Sequence, residues 1–193
     1  MSHGAKPGAS WPRLCQRVRV NDWEKRVANA WASIDHYEDR DDDFRALIDK
    51  LVAELPDGDP IGLFERACAW DSTGHSDRAA PLYQGAIDGG LTGYRRRRAV
   101  IQMSSSLRNT GRVETAVTLL EAERGIDPAT LDDQTRTLAD AISATLALCL
   151  VDTGREREAV SIAVGALAPH LPRYQRSMGN YARLLMEPQD DSE

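Results

Sequence analysis

LFERACAWDSTGHSDRAAPLY at residues 63–83 and RRRRAVIQMSSSLRNTGRVETAVTLL at residues 95–120 each carry apolar residues at helical spacing into a glycine, then begin again. The stops are Gly74 and Gly111, and Gly154 supplies a third; the steps between them are 37 and 43 residues. Aligned on these glycines, small residues recur seven positions before (Ala67, Ser104, Ala147) and five after (Ala79, Ala116, Ala159). Large apolar residues recur four before (Trp70, Leu107, Leu150), and Tyr83, Leu120 and Ala163 stand nine after. Ala86 and Ala166 lie twelve after, where the middle unit has Glu123. Two antiparallel helices approach closely only where small side chains meet, and larger ones fill the space around the crossing. The pattern predicts three helix–Gly–helix hairpins, at 60–73 with 76–89, 92–110 with 113–124, and 133–153 with 156–168.

Working outward, Trp23, Val27, Ala30, Trp31 and Ile34 share one helical face, as do Phe44, Leu47, Ile48, Leu51, Val52 and Leu55. Asp41, Asp42 and Asp43 suit the positive end of that second helix. Asp59 before Pro60 reads as a cap followed by a first-turn proline. Ser76 reads as the cap of the next helix, and Pro81 inside it predicts a kink or a later start. A last amphipathic segment, 173–186, puts Tyr174, Met178, Tyr181, Ala182 and Leu185 on one side. No segment alternates as a strand does. The reading is all-α with nine helices: an N-terminal arm without fixed structure at 1–20, a capping helix pair at 21–57, the three hairpins at 58–171, a capping helix at 172–187 and an acidic tail at 188–193.

Composition bounds what such a chain does. It has 193 residues, 24 Lys and Arg against 30 Asp and Glu, and a formal charge of −6. No run approaches the roughly 18 apolar residues that a membrane-spanning helix needs. Cys15, Cys68 and Cys149 are too few and too scattered for a disulfide framework, which points to a reducing, cytoplasmic setting. Lys6, Arg13, Arg17 and Arg19 lie in a segment with no apolar stretch, so it does not read as a secretory signal. The charge is sectored: residues 38–59 hold nine acids and three bases, whereas 89–113 hold six arginines and no acid.

The repeating register resembles that of the tetratricopeptide repeat family over residues 60–171, and the two stretches quoted above look like a small bacterial branch of it. The 37-residue step is close to the family's period of about 34. The resemblance implies a right-handed superhelix of helix pairs whose first helices line a concave groove, and a protein that binds peptides or proteins and does no chemistry. The sequence departs from the family pattern where a bulky aromatic near the start of the first helix is expected (Leu63, Val100, Ser143). Pro128 is the one clear terminal proline.

If the first helices face inward, helical spacing puts Arg98, Ser105, Asn109 and Arg112 in one stripe, with Arg108 alongside. Ile61, Phe64, Cys68 and Asp71 on one flanking helix, and Ala144, Leu148, Val151 and Asp152 on the other, complete the face. Arginine offers forked donors to carboxylates and asparagine pairs with an extended backbone. Some family members clamp a peptide's terminal carboxylate with Lys, Arg and Asn, so Arg98, Arg108 and Asn109 resemble such a clamp. The candidate peptide-binding set is Asp71, Arg98, Ser105, Arg108 and Asn109, and the expected partner is a protein or peptide with acidic groups. An equally available reading pairs these arginines with Glu65, Asp71 or Asp88 of the neighbouring repeat.

No phosphate loop, nucleophile elbow or metal-protease pair is present, and His75 near Cys68 and Asp71 lacks metal-ligand spacing. No enzyme activity, cofactor, metal or membrane association is expected. Two alternatives stand beside peptide binding. In self-association, 38–43 or 187–193 fills the basic groove in cis or in a second copy, the latter giving a homodimer. Nucleic-acid binding through the basic arm and the arginine stripe is disfavoured by the acidic charge and the scarcity of nearby aromatics.

Overall fold

A computed structural model describes residues 11–188, with side-chain surroundings from Asp22 onward. The described residues are helical with no strand: α1 (Trp11–Ala32), α2 (Asp41–Val52), α3 (Pro60–Ser72), α4 (Ser76–Asp88), α5 (Gly93–Asn109), α6 (Val113–Arg124), α7 (Asp133–Arg136, a single turn), α8 (Ala139–Asp152), α9 (Glu156–Leu167) and α10 (Gln175–Leu184). The chain divides into two compact units, one up to Leu55 and one from Pro56. No described helix is long and apolar enough to cross a membrane.

In the first unit, α1 begins at Trp11, so half of the segment expected to lack structure is helical. Pro12 falls in its first turn, where a missing N–H costs nothing. Residues 1–10 lie outside the described residues. The indole of Trp23 donates to the Leu51 carbonyl at 2.8 Å, and Arg26 grips Glu54 through two bonds of 2.6 Å. Phe44, fully buried, takes Trp31 edge-on at 5.1 Å and Tyr37 at 5.5 Å.

The second unit is built from one repeated hinge. At Gly74, Gly111 and Gly154, φ lies between +74° and +81°, a left-handed turn that only glycine takes without cost. The residue after each glycine donates back to a carbonyl five residues earlier: His75 to Trp70, Arg112 to Leu107 and Arg155 to Leu150, at 2.8–2.9 Å. A threonine precedes each glycine, and the hydroxyls of Thr73, Thr110 and Thr153 each bond the last turn's carbonyls at 2.8–2.9 Å. The orphan carbonyls of all three first helices are thus satisfied by one repeated Thr-Gly device.

Asp59 caps α3, accepting from the amides of Ile61 and Gly62 at 2.8 and 3.4 Å. At α4 the expected serine cap and the later start allowed for Pro81 are not what the chain adopts. His75 is its N-cap residue, with Ser76 inside the first turn, because the glycine hinge ends one residue earlier than a Ser cap requires. The helix also starts at Ser76 despite Pro81, whose missing N–H leaves the Asp77 carbonyl near an exposed turn rather than in the core. The single helix expected over 133–153 is broken. Asp132 accepts from the Thr135 amide and hydroxyl at 2.8 and 2.7 Å, and Arg136 bonds the Leu131 carbonyl at 2.6 Å. These local bonds close a separate turn before α8 begins, which absorbs the longer 43-residue step.

The core follows the glycine register. Ala67 and Ser104, and then Ala79, Ala116 and Ala159, are buried at the crossings, with Phe64, Tyr83, Leu120, Ile142, Leu146 and Leu150 packed around them. Trp70 is the exception among the large residues: it stays half-buried, its ring edge-on to His75 at 5.2 Å and capped by the Arg78 guanidinium at 4.6 Å.

Candidate functional site

The first helices of the hairpins lie side by side, with α5 packed against both α3 and α8. Their shared face is where the sequence places its candidate residues.

The four consecutive arginines at the start of α5 radiate around the helix, as 100° per residue requires. Arg95 turns back to α3 and lies 3.4 Å from Glu65, which is buried. Arg96 donates to Glu123 of α6 at 2.7 Å, and the buried Arg97 lies 3.8 Å from the same carboxylate. Arg98 lies over the Phe64 ring at 5.2 Å and near Tyr94 at 5.9 Å. Among the described residues no carboxylate pairs with Arg98. Three members of the run therefore join helices within the array, and one is left for something else.

The remaining candidates separate. Arg108 is forked onto Asp152 of α8, Nε–Oδ2 at 2.6 Å and Nη2–Oδ1 at 3.2 Å, which raises its pKa further. Asp71 is half-buried at the end of α3. It accepts from the Ser106 hydroxyl at 2.8 Å and, more loosely, from the Tyr83 hydroxyl at 3.4 Å. Desolvation nevertheless holds its carboxyl above the usual carboxylate range, because no cation compensates it. Asn109 reaches across to the Ser76 hydroxyl at 3.3 Å. Asp71, Ser105 and Asn109 come together in a shallow recess of about 540 Å³ that also takes in Ser76, Asp77 and Thr110; Arg98 and Arg108 do not line it.

The face is therefore mixed in charge: the recess is acidic and hydroxyl-rich, with cations beside it. On α8, Leu148 and Val151 are exposed next to Asp152 and add an apolar strip. Sequence reasoning missed Glu123 as the partner of two arginines, since a glutamate at a crossing position reads as a defect in the repeat. Its only signal was that it broke the small-residue register. Asp152 was named as a groove residue but not as the mate of Arg108, because the angle between repeats sets that distance.

Burial pushes the Cys68 thiol up to about 12, and the thiol donates to the Gln102 amide oxygen at 3.5 Å. Among the described residues, no three His, Cys, Asp or Glu side chains converge as a metal site would require.

In comparison with known proteins, the family model described as tetratrico peptide repeat matches residues 60–185. No curated protein and no solved structure matches the chain. The match begins at the first residue of α3 and runs through α10, so it takes in all three hairpins and the helix that follows them. The chain belongs to the tetratricopeptide repeat family.

Proposed function

We propose that the protein is a cytoplasmic, non-catalytic adaptor that binds an extended segment of a partner protein on the face formed by α3, α5 and α8. Repeats of this family generally mediate protein–protein interactions. The observation that carries the finer reading is Arg98. A guanidinium held over Phe64 and beside Tyr94, with no carboxylate of its own among the described residues, keeps its forked donors for an incoming acid. Exposed Arg112 and Asn109 extend this toward the hinge, and Leu148 and Val151 offer apolar contact further along. The partner segment this suits carries an acidic side chain or a C-terminal carboxylate next to an apolar residue. Arg108 belongs to the scaffold in this reading, since its fork is already filled by Asp152.

The test is binding of fluorescent acidic peptides, with free and amidated C-termini, to the wild type, Arg98→Ala and Arg108→Ala. Arg98→Ala should weaken binding roughly ten-fold with little change in melting temperature, as loss of one charge-assisted contact implies. Arg108→Ala should lower the melting temperature more than it lowers affinity. Equal binding by the wild type and Arg98→Ala refutes the reading.

A further inference from the structure

Three contacts fix how α3 and α5 lie against each other. The Arg98 guanidinium covers the Phe64 ring, the Cys68 thiol donates to the Gln102 amide oxygen at 3.5 Å, and the Ser106 hydroxyl donates to Asp71 at 2.8 Å. The partners in each contact stand 34 or 35 residues apart in the chain. That offset holds over two helical turns, so the two helices run parallel and in step along one seam.

Arg98 marks one end of the seam and Asp71 the other. Phe64 and Asp71 are seven residues apart on α3, as are Arg98 and Ser105 on α5. Seven residues make nearly two turns, so these groups share a face and stand about 10 Å apart along the axis. The two ends have opposite chemistry. Arg98 pairs with no carboxylate among the described residues and lies over an aromatic ring. Asp71 is half-buried and accepts from the Ser106 and Tyr83 hydroxyls, and no cation among the described residues pairs with it. It lines the recess of about 540 Å³ together with Ser76, Asp77, Ser105, Asn109 and Thr110. A half-buried carboxylate without a counter-charge is costly, and a bound cation relieves that cost. An ammonium brings three donors and no acceptor, which suits a recess of carboxylate, hydroxyl and amide oxygens.

We propose that this recess takes a lysine or arginine side chain of the partner segment, three residues from the acid that meets Arg98. The proposal rests on Arg98 receiving the partner's acid and adds a second anchor of opposite sign. The spacing follows from the seam. A segment in the extended polyproline II conformation has three residues per turn and advances about 3.1 Å per residue, so positions i and i+3 face one way about 9 Å apart. A β-strand sets same-side residues about 7 or 13 Å apart, which misses one end of the seam or the other. The segment selected is therefore one of mixed charge. A run of acids brings a carboxylate against Asp71 and is rejected there.

The probes are acetylated, amidated eight-residue peptides, neutral except for Asp at position 3, followed by Leu, and Lys at position 6. The same peptide in reversed order is included, because the seam admits either chain direction. Controls carry Ala in place of Lys, or Lys directly beside the acid. In calorimetric titration of the full chain, one of the two orders should bind about five-fold more tightly than its alanine control. Asp71→Asn should erase that preference while leaving the melting temperature no lower, and Lys beside the acid should not show it. Arg98→Ala should weaken lysine and alanine peptides alike. Equal binding of lysine and alanine peptides by the wild type, a lysine preference that survives Asp71→Asn, or the same preference at both spacings overturns the proposal. Arg98→Ala without effect, beside a lysine preference that Asp71→Asn erases, refutes the acid at Arg98 and leaves the cation site standing. No saturable binding of any peptide by the wild type overturns both.

Discussion

Removing Glu123 should do more damage than removing any exposed charge in the array. Its carboxylate is 3% exposed and faces Arg97, itself 5% exposed, with Arg96 donating at 2.7 Å from the solvent side. The Nε and Nη1 of Arg97 have no hydrogen-bond partner, so this guanidinium is held by charge alone, at 3.8 Å. Glu123→Ala therefore strands a buried cation. Breaking a buried pair from one side costs about 3–5 kcal/mol. For a unit of this size that corresponds to a fall of about 8–15 °C in melting temperature. Arg96→Ala, removing a half-exposed donor and leaving Arg97 in place, should cost only about 1.5–3 kcal/mol. The decisive comparison is the double variant Glu123→Leu with Arg97→Met. It removes both charges together and should recover most of the loss, since well-packed apolar replacements of buried pairs are often neutral or better. Urea titration followed by far-ultraviolet circular dichroism measures all three. If Glu123→Ala lies within about 1 kcal/mol of wild type, or the double variant is as unstable as the single, the buried-charge reasoning is refuted.

Three further outcomes follow from single sites. The folded Asp71 carboxyl binds its proton at higher pH than in the unfolded chain, so ionised Asp71 opposes folding and stability contributed at this site rises as pH falls toward the ordinary carboxylate value. Asp71→Asn should therefore gain on the wild type at neutral pH and lose that advantage in acid; an advantage that grows in acid contradicts the assignment. Gly111→Ala meets no atom within 4 Å but must hold φ at +78°, so it should cost about 1–2 kcal/mol from the backbone alone, with Gly111→Asn milder. Cys68 and Cys149, both buried with thiols pushed up by desolvation, should resist alkylation until the chain unfolds, as read peptide by peptide in mass spectrometry; rapid labelling of either in the native protein counts against the packing.

The hairpin array was legible because its rules are local. A left-handed glycine, the small residues at fixed offsets from it and the apolar stripe between them all lie within one helix pair, where spacing along the chain becomes spacing in space. The failures were local as well. The Asp132–Thr135 and Arg136–Leu131 bonds broke an expected helix by offering the backbone other partners, which apolar periodicity does not register. The helix Trp11–Ala32 reaches back through 11–20, where the glycines and prolines of the arm suggested no structure.

The charged face was legible only in outline. From the sequence, six arginines with no acid between residues 89 and 113 make a basic stripe. That Arg95, Arg96, Arg97 and Arg108 are met by Glu65, Glu123 and Asp152, each from a different helix, depends on the angles at which hairpins stack, and no window of sequence contains those angles. The same holds for burial: Ala80, Val117 and Val160 are equivalent in the chain, yet the first two are core and Val160 is half exposed. The sequence by itself determined the repeat, its hinge and the family. The tertiary structure decided which charges are spent inside the array and which faces remain open, because both depend on what stands beside each helix rather than on what it is made of.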